Sequence, residues 1–222
     1  MRVLYFVKLI AFLSIAVLGF VGCEEKIDHN RYGFAPEDNN QLIAGALFFE
    51  NFTNNGDGST TDSISGLTWK TCSQGQTFSG NASQYDCQGS SGTVINPGTY
   101  GAKQLQYCSV NLESCNTLGI PQTLTAGGGA SSEAFDSCAA DGTAGGGWRV
   151  ATFIELKYLS SNSRNFMLLK FPNTMDDYYW SSTANEQDGS GKTARAVSFS
   201  LSNFGDDEDF TKITRYFVRC VR

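Results

Sequence analysis

From residue 42 onward, short apolar runs alternate with long polar stretches, and the runs carry two different periods. Along 195–201, Ala196, Ser198 and Ser200 alternate with Val197, Phe199 and Leu201. Along 213–222, Tyr216, Val218 and Cys220 alternate with Phe217, Arg219 and Val221. A period of two sends successive side chains to opposite faces, so both segments predict strands, with a third at 178–183, YYWSST. The intervening SNFGDDEDFTK predicts an acidic turn. The other period is helical. Residues 131–141, SSEAFDSCAAD, place Ala134, Phe135, Cys138 and Ala139 on one face behind a Ser131 or Ser132 cap. Thr152 and Glu155 form a Thr-x-x-Glu capping box, which predicts a helix over 153–160 with Phe153, Leu156 and Leu159 on a shared face. Further upstream, the apolar LIAGALFFENF is followed by the turn-formers Asn54 to Gly58 and then by LTWKTC, which predicts strand, turn, strand. Residues 73–131 are rich in Gly, Ser, Thr and Asn and predict a long irregular excursion.

Composition sharpens this picture. Charged residues make up 17% of the chain and 24 residues are glycine, which suits a turn-rich exported β or α+β protein rather than a helical bundle. The first 22 residues stand apart. Arg2 and Lys8 precede an apolar run from Leu9 to Val21 of about 13 residues, short of the roughly 20 that a spanning helix needs, so they read as a signal peptide. The small residue before Cys23 resembles a bacterial lipobox, which makes Cys23 the lipidated residue. Glu24 and Glu25 follow it where Asp would signal retention, so the resemblance points to the outer membrane. Residues 23–41 then form the lipidated cysteine and a flexible tether, and 42–222 a single domain. Removing residues 1–22 takes away two basic residues, leaving 14 basic against 22 acidic, a charge of −8. That balance argues against nucleic acid and leaves the lipid anchor as the only membrane attachment.

Six cysteines remain after Cys23. An even number in an exported chain predicts disulfides, and spacing alone does not fix the pairing. Cys72 with Cys87, and Cys108 with Cys115, flank polar loops and read as local clips. Cys138 and Cys220 are then left as a long closure. Zinc is the weaker reading, because no Cys-x-x-Cys occurs and the single histidine, His29, lies in the tether.

Three groups of side chains are candidates for ligand chemistry. Lys212, Arg215 and Arg219 cluster with Arg222 near the last strand as a candidate basic stripe for sulfated glycans, but only 215 and 219 share a strand face, so surface solubility is the default. Asp206, Asp207 and Asp209 form the densest carboxylate group and are the calcium candidate, against a solvated turn as the default. Residues 54–62, NNGDGSTTD, resemble half a calcium loop but lack its closing glutamate, so a hairpin turn is preferred. Trp148 reads as core and Arg149 as a bond to backbone or to a carboxylate, and Trp69 and Trp180 as core. With His29 in the tether, a histidine-based triad has no base, so the chain reads as a non-enzyme.

Five stretches in order, DGSTTDSISGLTWKTCSQGQTF, GGGWRVATFIELKYL, FPN, YYWSST and YFVRCVR, resemble the Lcl C-terminal-like domain family. Ser65-Gly66 stands where that family has Thr-Gly, and Val150-Ala151 where it has Leu-Pro. The resemblance implies an α+β, C-type-lectin-like fold: two short helices on short antiparallel strands, long disulfide-clipped loops, and a bond from the first helix to the last strand, here Cys138 to Cys220. It also implies a surface-exposed adhesin for host extracellular-matrix proteins such as laminin, or for host plasma proteins. An envelope lipoprotein with no host ligand is the alternative. A glycan-binding or formylglycine-generating-like role comes third.

Overall fold

The computed structural model describes residues 47–80, 87–88, 99–111, 131–185 and 190–222, all within one contact unit, Leu42–Arg222. The signal peptide, Cys23, the tether and His29 lie outside the described residues, as does Cys115.

A helical turn at residues 47–50 leads into a three-strand meander: β1 (Phe52–Asn54), β2 (Ser59–Asp62) and β3 (Thr68–Lys70). Local polar side chains shape both of its turns. Asp57 accepts from the Ser59 amide and hydroxyl. Asp62, itself buried, accepts from the Ile64 and Ser65 amides, the Ser65 hydroxyl and, at 2.8 Å, the Tyr158 hydroxyl. The NNGDG stretch is thus a hairpin turn. Next come β4 (Leu105–Gln106), α1 (Glu133–Ala139), a 3-10 turn (Thr143–Gly145) and β5 (Arg149–Val150). Ser132 caps α1 through the Phe135 amide, and Ala134, Phe135 and Cys138 are its buried face. Ala139, expected on that face, is exposed.

Helix α2 (Phe153–Leu159) opens on the complete Thr152–Glu155 capping box. A third helix, α3 (Arg164–Lys170), was not expected. Its Ser163 makes no side-chain cap bond and its Leu169 is 71% exposed, so neither start signal nor apolar stripe announces it. The remaining strands are β6 (Tyr178–Ala184), β7 (Thr193–Ser198), β8 (Asp207–Thr211), β9 (Arg215–Val218) and β10 (Cys220–Val221). Sheets dominate this mixed α/β architecture, with a few short helices beside them.

The described strands form two five-stranded sheets, β1-β2-β3-β10-β5 and β4-β9-β6-β7-β8. The chain's last strand does not stay in one of them. It breaks at Arg219: β9 lies between β4 and β6 in the second sheet, and β10 lies between β3 and β5 in the first. The terminal segment is thus interior to both sheets and joins them. Cys138 of α1 is bonded to Cys220 of β10, 82 positions further along the chain, and Cys72 is bonded to Cys87. Cys108 is also disulfide-bonded. Two apolar clusters fill the interior. One gathers Trp69, Leu156, Phe171, Tyr179 and Phe217; the other gathers Tyr107, Phe135, Trp148, Trp180 and Val218.

Candidate ligand-binding site

The structure does not assemble the predicted basic stripe. Arg219 is fully buried at the strand break. Its guanidinium donates to the carbonyls of Lys70 (3.2 Å) and Thr71 (3.1 Å), to the Ser73 hydroxyl and to the Thr174 hydroxyl (2.6 Å). It also lies 4.8 Å from the Phe171 ring centroid. Oxygen dipoles and a π face thus solvate a charge that has no carboxylate against it among the described residues. Lys212 is equally buried, its ammonium 5.8 Å from the Tyr107 ring centroid. The segment carrying it is anchored by the Lys212 amide on Lys192 and by the Cys108 amide on Lys212. Arg215 is exposed but grips Glu133 with both terminal nitrogens, at 2.7 and 2.8 Å. Arg222 lies 4.5 Å from the Trp148 ring centroid and donates to the carbonyls of Ala144 and Gly146.

The acidic turn is also corrected, since residues 207–209 belong to β8. Asp207 meets Lys157 at 2.8 Å and Arg195 at 2.7 Å, while Asp209 meets Arg195 at 3.7 Å and the Asn185 amide at 2.8 Å. Those two carboxylates are engaged by the protein's own cations, and Asp206 stands in the turn before the strand. Among the described residues no three His, Cys, Asp or Glu side chains gather as metal ligands. Trp148, buried, donates its indole N–H to Thr143, and Arg149 pairs with Glu155 through two short bonds of 2.6 and 2.8 Å.

A polar cleft that sequence reading missed lies at the end of the first sheet. It encloses about 400 Å³ and is lined by Asp57, Lys70, Gln74, Phe78, Asp141 and Thr143, with Cys72 in its wall. Three parts of the chain meet there: the β1–β2 turn, the segment after β3, and the turn after α1. Two glycines permit that approach. A Cβ on Gly58 (φ +92°) would come within 2.7 Å of the Thr143 methyl, and one on Gly75 (φ +93°) within 2.7 Å of the Gly101 carbonyl oxygen. Lys70 and Asp141, with side chains only 5% and 11% exposed, form an ion pair here. Lys70 also donates to Gln74 Oε1 at 2.9 Å, and the Thr143 amide donates to Asp141 at 2.9 Å.

The two partners shift in ways that pull against each other. Burial lowers the Lys70 pKa more than Asp141 raises it. Burial would raise the Asp141 pKa, but bonds from Lys70 and Thr143 outweigh it and hold it below the usual value. Direct contact with an ionised carboxylate decides for a charged pair at neutral pH. The ammonium has used two of its three donors, and the carboxylate keeps acceptor capacity. With the half-buried Phe78 ring alongside, the cleft can hydrogen-bond a polar ligand and stack its apolar face. The residues that build it are spread over some 90 positions of sequence, and only the turn glycines gave any signal of it.

Comparison with curated proteins finds no match. The model of the Lcl C-terminal domain matches residues 58–222, a span that holds both sheets apart from β1, the two described disulfides and the polar cleft apart from Asp57. The chain therefore belongs to the Lcl C-terminal domain family.

Proposed function

We propose that the protein is a surface lipoprotein adhesin whose Leu42–Arg222 unit, a C-type-lectin-like domain, binds host extracellular-matrix or plasma proteins. In this reading Cys23 carries the lipid, residues 24–41 are the tether, and the site is the outer membrane facing outward. Family membership supports the reading, as do the leader pattern at the N-terminus and the cysteine pairs that suit an oxidising compartment. The observation that carries it is the cleft. Its walls are pinned by the Cys72–Cys87 bond and by close glycine contacts, so its polar groups are ordered before a ligand arrives, which lowers the entropic cost of binding. An ordered polar cavity with an aromatic wall fits recognition of a protein loop or of the glycan it carries.

Titrating the purified chain over immobilised laminin, fibronectin and serum proteins tests this. Saturable binding that Phe78→Ala weakens several-fold, with the melting curve little changed, is the expected result. The absence of saturable binding to any of them would leave the chain an envelope protein with no host ligand. Binding abolished by chelator would move the site away from the cleft to a calcium centre.

A further inference from the structure

The second sheet leaves part of one face half-exposed. Tyr178, Phe210 and Tyr216 form an aromatic cluster there, with ring centroids 4.9 Å (Tyr178–Phe210), 5.6 Å (Tyr178–Tyr216) and 4.5 Å (Phe210–Tyr216) apart. All three are only partly buried, packed at the margin of the cluster around Trp180. The register explains their meeting. Ala194 lies opposite Phe210, and Ala196 opposite both Trp180 and Glu208, so small side chains on β7 let rings from the flanking strands close over them.

Charge on this face is one-sided. Glu208 alternates with Asp207 and Asp209 along β8, so it projects to the opposite side of the sheet. Asp207 and Asp209 are met by Lys157 and Arg195. Glu208 is exposed and accepts from the Tyr178 hydroxyl at 3.1 Å, and no salt bridge reaches it among the described residues. The Tyr178 and Tyr216 pKa values are raised, first by burial and then by carboxylates: Glu208 and Asp206 act on Tyr178, Asp177 and Glu208 on Tyr216. Elsewhere the molecule covers aromatic faces with its own cations. Arg195 lies 3.6 Å from the Phe153 centroid, Arg222 4.5 Å from Trp148 and Arg219 4.8 Å from Phe171. Among the described residues no cation lies over Tyr178, Phe210 or Tyr216. Beside them β8 is the last strand of its sheet, with an outer edge that no described strand pairs.

From this geometry we infer that the Tyr178–Phe210–Tyr216 face, with Glu208 at its rim, docks an extended lysine- or arginine-rich segment of a protein partner. The π faces and the unmatched carboxylate attract the cationic side chains, and the open β8 edge offers backbone groups to an extended peptide. This face shares no residue with the Lys70–Asp141 cleft, so it stands or falls independently of the function proposed above.

Fluorescence polarisation of a labelled hexalysine peptide against the full chain tests it. Glu208→Gln and Phe210→Leu are compared with Asp136→Asn, which removes an exposed charge from α1, and with Phe78→Ala in the cleft. The expected result is saturable binding, weakened about 2- to 5-fold by each of the first two variants and little by the other two. Glu208 is exposed, so its substitution leaves the fold intact and keeps the test valid even if Phe210→Leu disturbs packing. If Asp136→Asn weakens binding as much as Glu208→Gln, the attraction is only that of an acidic chain and the docking face is refuted. The same holds if hexalysine does not bind saturably.

Discussion

The two sheets treat charge in opposite ways. Around the first, Lys70 of β3, Asp141 in the turn after α1 and Arg219 at the strand break are committed to the fold. Two of them pair with each other, and the third is held by carbonyls, hydroxyls and a ring. At the rim of the second, aromatic rings stay half-exposed and Glu208 has a tyrosine hydroxyl but no cation. Charge alone therefore does not mark a binding surface in this protein. What marks it is the bonding capacity that the fold leaves over: the third Lys70 donor and the spare Asp141 acceptor positions in the cleft, and the Glu208 carboxylate with no cation on the second sheet. The terminal strand makes the contrast possible, because its break at Arg219 lets one segment lie inside both sheets.

Both sheets depend most heavily on their covalent tie. Cys220→Ser opens an 82-residue closure, and the chain-entropy model gives a loss of about 4.5 kcal/mol for a loop of that size. The expected outcome is a fall of many degrees in the melting temperature, read by calorimetry. Next is the buried guanidinium. Arg219→Leu keeps bulk but strands the acceptors that Arg219 satisfies, and should cost about 3 kcal/mol in urea unfolding.

A pH titration sharpens the ionic part. The folded-state pKa values of Asp62 and Asp141 are both lowered: burial would raise them, but hydrogen bonds and, for Asp141, the Lys70 charge outweigh it. The stability these carboxylates contribute is therefore complete above the unfolded aspartate pKa of about 4 and is lost as pH falls through their lower folded values. Asp141→Asn should destabilise the fold at neutral pH, since it leaves Lys70 buried without its carboxylate, and should flatten the acid limb of the stability curve. A limb unchanged by that substitution would contradict the pairing. The smallest effect belongs to α2: Thr152→Ala removes half of the capping box and should cost about 1 kcal/mol, measured by chemical denaturation.

Much of this fold could be read from the chain where local chemistry dictates structure. Ser132 and the Thr152–Glu155 box announce α1 and α2, and the alternation in 178–183 and 195–201 announces β6 and β7. What could not be read depends on contacts distant in sequence. The period of two runs unbroken through Arg219, so nothing local marks the passage from one sheet to the other. DEDFT reads as a turn because an edge strand with exposed carboxylates lacks the apolar signal of an inner one. Lys212 and Arg219 looked like surface cations because burial of a charge is decided by partners such as the Lys70 and Thr71 carbonyls, nearly 150 residues away. The cleft and the aromatic face share that origin, since close glycine contacts assemble the one and strand register the other, and neither rests on a motif.

Peptide mapping of the non-reduced protein tests the tie between α1 and the terminal strand directly. The terminal strand, bolted to α1, holds both sheets and thereby both candidate surfaces. One cross-linked species joining the peptide of Cys138 to that of Cys220 is the expected result. Recovery of Cys220 as a free thiol, or bonded to Cys72, Cys87 or Cys108, would contradict it.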